Sequence, residues 1–143
     1  VALTLSDPFC VDRYREEFTE LVAESVDILF ANEREIISLY KAKDLTDAVR
    51  QVRSHCKVAA LTLGARGSMV VSGSEVHTVE VAPVAQVVDT TGAGDMYAAG
   101  FLFGYTGGYD LTTCGTYGSI AAAEVISHYG ARPVTPLREV IST

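Results

Sequence analysis

From Val1 to Leu63, short apolar runs alternate with amphipathic ones, and this alternation limits the chain to few folds. Val1 to Leu5 is apolar and partly β-branched, which reads as a short buried strand, and Ser6-Asp7-Pro8 reads as the turn that stops it. From Val11 to Ser25, Tyr14, Phe18, Leu21 and Val22 share one helical stripe and acids fill the other. Val26 to Ala31 is a second apolar strand. Asn32 then stands at an N-cap position, with Glu33 and Glu35 in the first turn of a helix carrying Ile36, Ile37, Leu39 and Tyr40. Asp44 to His55 is a further amphipathic helix, turning Leu45, Ala48, Val49 and Val52 inward, and Lys57 to Leu63 is a third strand. Strands joined through helices pair in parallel by right-handed crossovers, with the helices layered on the sheet.

The rest of the chain extends the same plan. Gly64-Ala65-Arg66-Gly67 and Gly73-Ser74 are turns around Ser68 to Ser72, and Glu75 to Val81 follows as an antiparallel partner. Val84 to Val88 reads as an apolar strand, and Met96 to Tyr105, Leu111 to Tyr129 and Leu137 to Ile141 read as helices. The expected fold is α/β, with a largely parallel sheet. There are no repeats, low-complexity tracts or linkers, so 143 residues make one domain or part of one.

Charge and cysteine content exclude whole classes of function. Lys and Arg total 11 against 18 Asp and Glu, a net charge of -7, which provides no basic excess for nucleic-acid backbones or anionic lipid. Cys10, Cys56 and Cys114 are widely spaced and odd in number, so they form neither a metal knuckle nor a complete disulfide framework. Reduced thiols, no apolar run of membrane-spanning length and no basic leader point to a cytoplasmic protein. Val1 opens what reads as a strand already in progress, without an initiator Met, so the chain is expected to begin partway through a larger protein.

The chemistry concentrates in Val87-Val88-Asp89-Thr90-Thr91-Gly92-Ala93-Gly94-Asp95, where an apolar run ends at an acid and a small-residue turn opens a helix. Glycines let backbone N–H groups converge on one point, and a helix N-terminus adds unpaired donors and partial positive charge. Such a turn is an anion hole for phosphate or for charge that develops during transfer. A carboxylate would repel a resident phosphate, so Asp95 makes sense as a base that takes a proton from an attacking hydroxyl. A capping Asp after a tight turn is the competing reading. No Gly-x-x-x-x-Gly-Lys-[Ser/Thr] loop occurs, and Gly92-Ala93-Gly94 lacks the third glycine and early position of a dinucleotide fingerprint.

The run Asp89 to Gly100 resembles the C-terminal signature of the ribokinase-like (PfkB) carbohydrate and nucleoside kinases. Asn32-Glu33-Arg34-Glu35 is similar to their Asn-x-x-Glu motif, and Thr62-Leu63-Gly64-Ala65-Arg66-Gly67 to their Thr-x-Gly-x-x-Gly nucleotide loop. The three occur in the family's order and extend over essentially the whole chain, matching the C-terminal half of such a kinase. Ser6 to Arg13 and Ala121 to His128 look most like bacterial adenosine-kinase-type members.

The resemblance implies an α/β/α ribokinase-like fold, with residues 1–143 as the C-terminal, nucleotide-binding and catalytic part of the kinase domain. It implies Asp95 as catalytic base and the amides of Gly92, Ala93 and Gly94 as the anion hole. Asn32 would lie near the nucleotide phosphates, and Glu35 would hold Mg²⁺ through water; a plain N-cap with its reciprocal acid is the bland alternative, and both can hold at once. Thr62, Gly64, Gly67 and Gly94 would contact ATP, and Ser119 would touch the base. Asp89 and the backbone at Thr91 would form one side of a monovalent-cation (K⁺) site, and His128 reads as a helix-end side chain.

ATP and a small sugar or nucleoside are thus the implied partners, and a primary hydroxymethyl group the acceptor, as in ribose, fructose or adenosine. Family members run to about twice this length, and their N-terminal half carries the acceptor-recognising groups and a small β lid. Two explanations stand side by side: a fragment of a full kinase, or a naturally short protein that self-associates as a homodimer to cover the gap. A nucleotide-binding or interaction module without transfer activity is the second functional reading.

Overall fold

A computed structural model describes residues 1–142. The chain divides into two compact units, one of Val1–Leu63 with Met69–His77, the other of Gly64–Ser68 with Thr78 onward. In the first unit, β1 (Ala2–Thr4), β2 (Ile28–Asn32) and β3 (Val58–Thr62) pair in parallel, with Ala2 opposite Ile28 and Asn32 opposite Thr62. β4 (Ser68–Ser72) and β5 (Glu75–Val79) complete a five-stranded sheet in the order β1-β2-β3-β4-β5. The links before and after β4 are far shorter than a parallel crossover needs, so β4 runs against its neighbours and the other strands point one way. The sheet is therefore largely parallel.

Four helices form a layer on one face of this sheet: α1 (Pro8–Arg13), α2 (Arg15–Glu24), α3 (Glu33–Tyr40) and α4 (Leu45–Val52). Val11, Val22, Ile36, Leu39, Ala48 and Val52 bury against Leu29, Ala31, Ala59 and Leu61. The alternate residues Ile28, Phe30, Val58 and Ala60 are buried too, which explains why β2 and β3 read as continuous apolar runs instead of alternating ones.

In the second unit, α5 (Ala93–Thr106) and α6 (Leu111–Ile126) form a helical hairpin, followed by α7 (Leu137–Ile141). Small residues bring the first two together: a Cβ on Gly100 would stand 2.3 Å from the Tyr117 carbonyl oxygen of α6. Tyr97 of α5 is buried and donates to the Ser68 hydroxyl at 2.9 Å.

Several element bounds differ from the sequence expectation, among them the end of α4 at Val52 and the start of α5 at Ala93, and three differences have a clear physical cause. Asp7-Pro8 starts a helix instead of only stopping a strand. The Asp7 carboxylate caps the Phe9 amide at 2.7 Å, Pro8 takes a first-turn position where its missing N–H costs nothing, and the expected helix from Val11 is broken at Tyr14. Residues 84–88 form no strand. No strand pairs with it among the described residues, and the run is tethered by the amides of Val88 and Asp89, both donating to the Ile126 carbonyl at 2.8 and 3.3 Å. Helix α6 ends at Ile126, not Tyr129, because this carbonyl is taken by the incoming 88–89 segment and the Ser127 hydroxyl turns back to Glu124. Among the described residues no helix is long and apolar enough to cross a membrane.

Candidate active site

The first unit presents Asn32 and Thr62 side by side, as the last residues of β2 and β3 and as register partners. The carboxyl ends of parallel strands are where open α/β sheets bind ligands. Asn32 also caps α3. Its side-chain oxygen accepts from the Glu35 amide at 2.8 Å, while the Glu35 carboxylate accepts from the Asn32 amide at 2.8 Å and its Nδ2 at 3.1 Å. Glu35 is only 5% exposed, and burial pushes its carboxyl above the ordinary range, against the Asn32 amide, which lowers it, and with the nearby Asp7 adding to the rise. The capping reading of this pair is thus realised. Among the described residues each Glu35 oxygen accepts one hydrogen bond, which leaves it a lone pair.

In the second unit, Gly64 opens the turn before β4 at φ +61°, with open space where a Cβ would stand. Gly67 is different. It is buried, and a Cβ there would meet the Val79 carbonyl oxygen at 2.1 Å, so its small size serves the protein's own packing. Ser119 is buried on α6, and its hydroxyl donates to the Glu80 carbonyl at 3.3 Å.

The turn before α5 is built around Asp89. One carboxylate oxygen accepts from the Thr91 amide at 2.9 Å and hydroxyl at 2.7 Å; the other accepts from the Gly130 amide at 3.1 Å. The Thr91 hydroxyl, the Thr91 amide and the Gly130 amide together hold this carboxyl below its ordinary range. Gly92 is the N-cap at φ +80°, a conformation that favours glycine, and a Cβ would come within 2.8 Å of the Ala131 Cβ. The Ala93 amide donates to the Thr90 carbonyl at 3.2 Å and the Met96 amide to Gly92 at 2.9 Å, whereas those of Gly92, Gly94 and Asp95 find no partner in the turn. Asp95 lies in the first turn of α5, exposed, and forms no hydrogen bond or ion pair among the described residues.

Sequence reading passes over Glu124. It lies four residues before His128 on the α6 stretch, and that spacing was the available signal. Its side chain is 8% exposed and accepts from His128 and from the amides of Val134 and Thr135. No group of three or more Asp, Glu, His or Cys side chains among the described residues is arranged to hold a metal.

Known proteins share both the sequence and the fold. The model of the pfkB family carbohydrate kinases matches residues 1–138. An adenosine kinase from Sinorhizobium meliloti is 50% identical with a TM-score of 0.96, covering 99% of this chain and 43% of that one. A probable sugar kinase from Rhizobium etli is 46% identical at the same TM-score, again over 99% of this chain and 43% of that one. A cytidine kinase from Thermococcus kodakarensis is 34% identical over 131 residues, 85% of this chain and 47% of that protein. The chain spans about half the length of the curated relatives it matches. With its family signature, its layered and largely parallel sheet and these relatives in agreement, the chain belongs to the pfkB family of carbohydrate kinases.

Proposed function

We propose that this chain carries the nucleotide-binding and phosphoryl-transfer half-site of an ATP-dependent kinase acting on the hydroxymethyl group of a nucleoside or sugar. The observation that carries this reading is the exposed, unpaired Asp95 in the first turn of α5, beside N–H groups of Gly92 and Gly94 with no partner in their turn. The relatives named as adenosine and cytidine kinases favour a nucleoside as acceptor.

Asp95 accepts the proton of the acceptor hydroxyl as that oxygen bonds to the γ-phosphorus, and the bond from phosphorus to the ADP oxygen breaks. The amides of Gly92 and Gly94 bear on the oxygens where negative charge gathers, and Ala93 supports the turn through Thr90. Within the first unit, Thr62 and Asn32 at the strand ends suit contact with the nucleotide; within the second, Gly64 leaves open space, while Gly67 and Ser119 also pack against Val79 and Glu80.

Mg²⁺ supplies charge neutralisation on the transferring phosphate. Glu35, with its remaining lone pairs, suits a hold on that ion through water, as expected of a hard ion that keeps its hydration. Asp89 keeps one lone pair on the oxygen that faces Gly130, which fits a monovalent cation such as K⁺ beside Thr91.

Replacing Asp95 by Asn tests the base. Turnover should fall by about 10²–10⁴-fold while calorimetric affinity for ATP with Mg²⁺ stays near wild type. Wild-type turnover in that variant removes Asp95 from the role. ATP binding with no transfer to adenosine, cytidine, ribose or fructose favours a nucleotide-binding module instead.

A further inference from the structure

Beyond α6 the chain runs on as an irregular segment to α7, and one buried side chain holds both flanks of the part that reaches the Asp89–Asp95 turn. The Glu124 carboxylate accepts from His128 Nε2 at 3.2 Å on one flank, and from the Val134 and Thr135 amides, both at 2.9 Å, on the other. Between those anchors lie Gly130, whose amide donates to Asp89 at 3.1 Å, and Ala131, whose Cβ stands 2.8 Å from the Cβ position of Gly92. The His128 ring has acceptors at both nitrogens, Glu124 at Nε2 and the Tyr129 carbonyl at Nδ1, 3.1 Å away. Only an imidazolium donates to both, so the acid that organises the segment is matched by a cation whenever the ring is protonated.

We propose that Glu124 is a positioning residue for phosphoryl transfer: by bracing residues 128–135 from both sides, it sets the placement of Gly130 and Ala131 and thereby the shape of the Asp89–Asp95 turn. This rests on the kinase reading for its consequence in catalysis, but not for its consequence in structure. A carboxylate is the group that suits the place. Its oxygens accept from two amides and the His128 ring at once, whereas a Gln amide would turn its NH₂ toward one of these donors.

The test uses the whole protein as Glu124→Ala and the isosteric Glu124→Gln, with amide hydrogen exchange read beside steady-state kinetics with ATP, Mg²⁺ and adenosine. In Glu124→Ala, exchange at Thr91, Ala93 and Met96, whose amides bond within the turn, should rise at least about tenfold, with α3 unchanged and Glu124→Gln intermediate. In the same variants kcat should fall at least about tenfold for Glu124→Ala while the KM for adenosine stays within about twofold, with Glu124→Gln again between. A purely structural loss would raise exchange throughout α3 as well, and would overturn the proposal. Wild-type exchange in the turn, with only Val134 and Thr135 loosened, would overturn it too. If Glu124→Ala does not fold, Glu124→Gln decides by the same criteria. If the wild-type protein transfers no phosphate, the kinase reading fails, and the exchange measurement alone still judges Glu124.

Discussion

Around the second unit's turn, two acids of the same sequence signature are held in opposite ways. Asp89 accepts three hydrogen bonds and anchors the backbone, whereas Asp95, six positions on, is left bare at the mouth of a helix. A base, the role proposed for Asp95, has to be free to take a proton, and a brace has to be occupied. His128 belongs with the brace: its bonds to the Tyr129 carbonyl and the Glu124 carboxylate, with Asp89 also nearby, raise its affinity for a proton, against a smaller opposing effect of burial. The folded value therefore lies above the unfolded one of about 6.5. The stabilisation from this pair is complete below that value and is lost as pH rises through the folded value. By NMR, the His128 ring should titrate above about 6.5, and Glu124→Gln should bring the midpoint down toward it. An unmoved midpoint would mean that the carboxylate does not hold the ring in solution. Glu124 itself is shifted the other way: burial raises its carboxyl, but the Thr135 and Val134 amides and His128 outweigh that and lower it.

Among elements, α3 shows that the Asn32–Glu35 stretch proposed to serve the nucleotide is also a structural motif. Asn32 ends β2 and caps α3 in the same breath, and Glu35 closes the capping box from the third helical position. Asn32→Ala should therefore cost about 1 kcal/mol of stability, read as a lower urea midpoint at unchanged slope, whatever it does to nucleotide binding. A midpoint at the wild-type value would show that the cap is dispensable. The elements that sequence reading placed well are those that local chemistry dictates: β2 and β3 as apolar runs, and α4 from Asp44, whose carboxylate accepts from the Asp47 amide at 2.8 Å. The 84–88 run misleads because strand propensity describes a residue's fit to a sheet and says nothing of whether a partner strand is there. The helix boundary at Ile126 misleads because its carbonyl is claimed by residues nearly forty positions earlier.

For the whole molecule, linkage between binding and folding gives a test that needs no acceptor. ATP with Mg²⁺ at about one hundred times its dissociation constant should stabilise the native state by about 2.7 kcal/mol. In a melting experiment that is an upward shift on the order of 5–10 °C. No shift at saturating ATP would remove the nucleotide from the reading of both units. The acidic balance, net charge -7, gives the molecule no general attraction for a triphosphate, so the proposed nucleotide binding would depend on local donors such as the Gly92 and Gly94 amides.

The family and the layered α/β class were both determined by sequence alone, because each is written in contiguous residues: a Gly-rich turn with its acid, a capping box, apolar runs of strand length. What only the tertiary structure decided is which groups in those stretches are free and which are spent. Ala93 and Asp89 are engaged while Gly94 and Asp95 are not, Gly67 answers to Val79, and Glu124 ties down a segment up to eleven residues further on. A hydrogen bond between distant residues depends on where folding brings their atoms, and no local pattern carries that information.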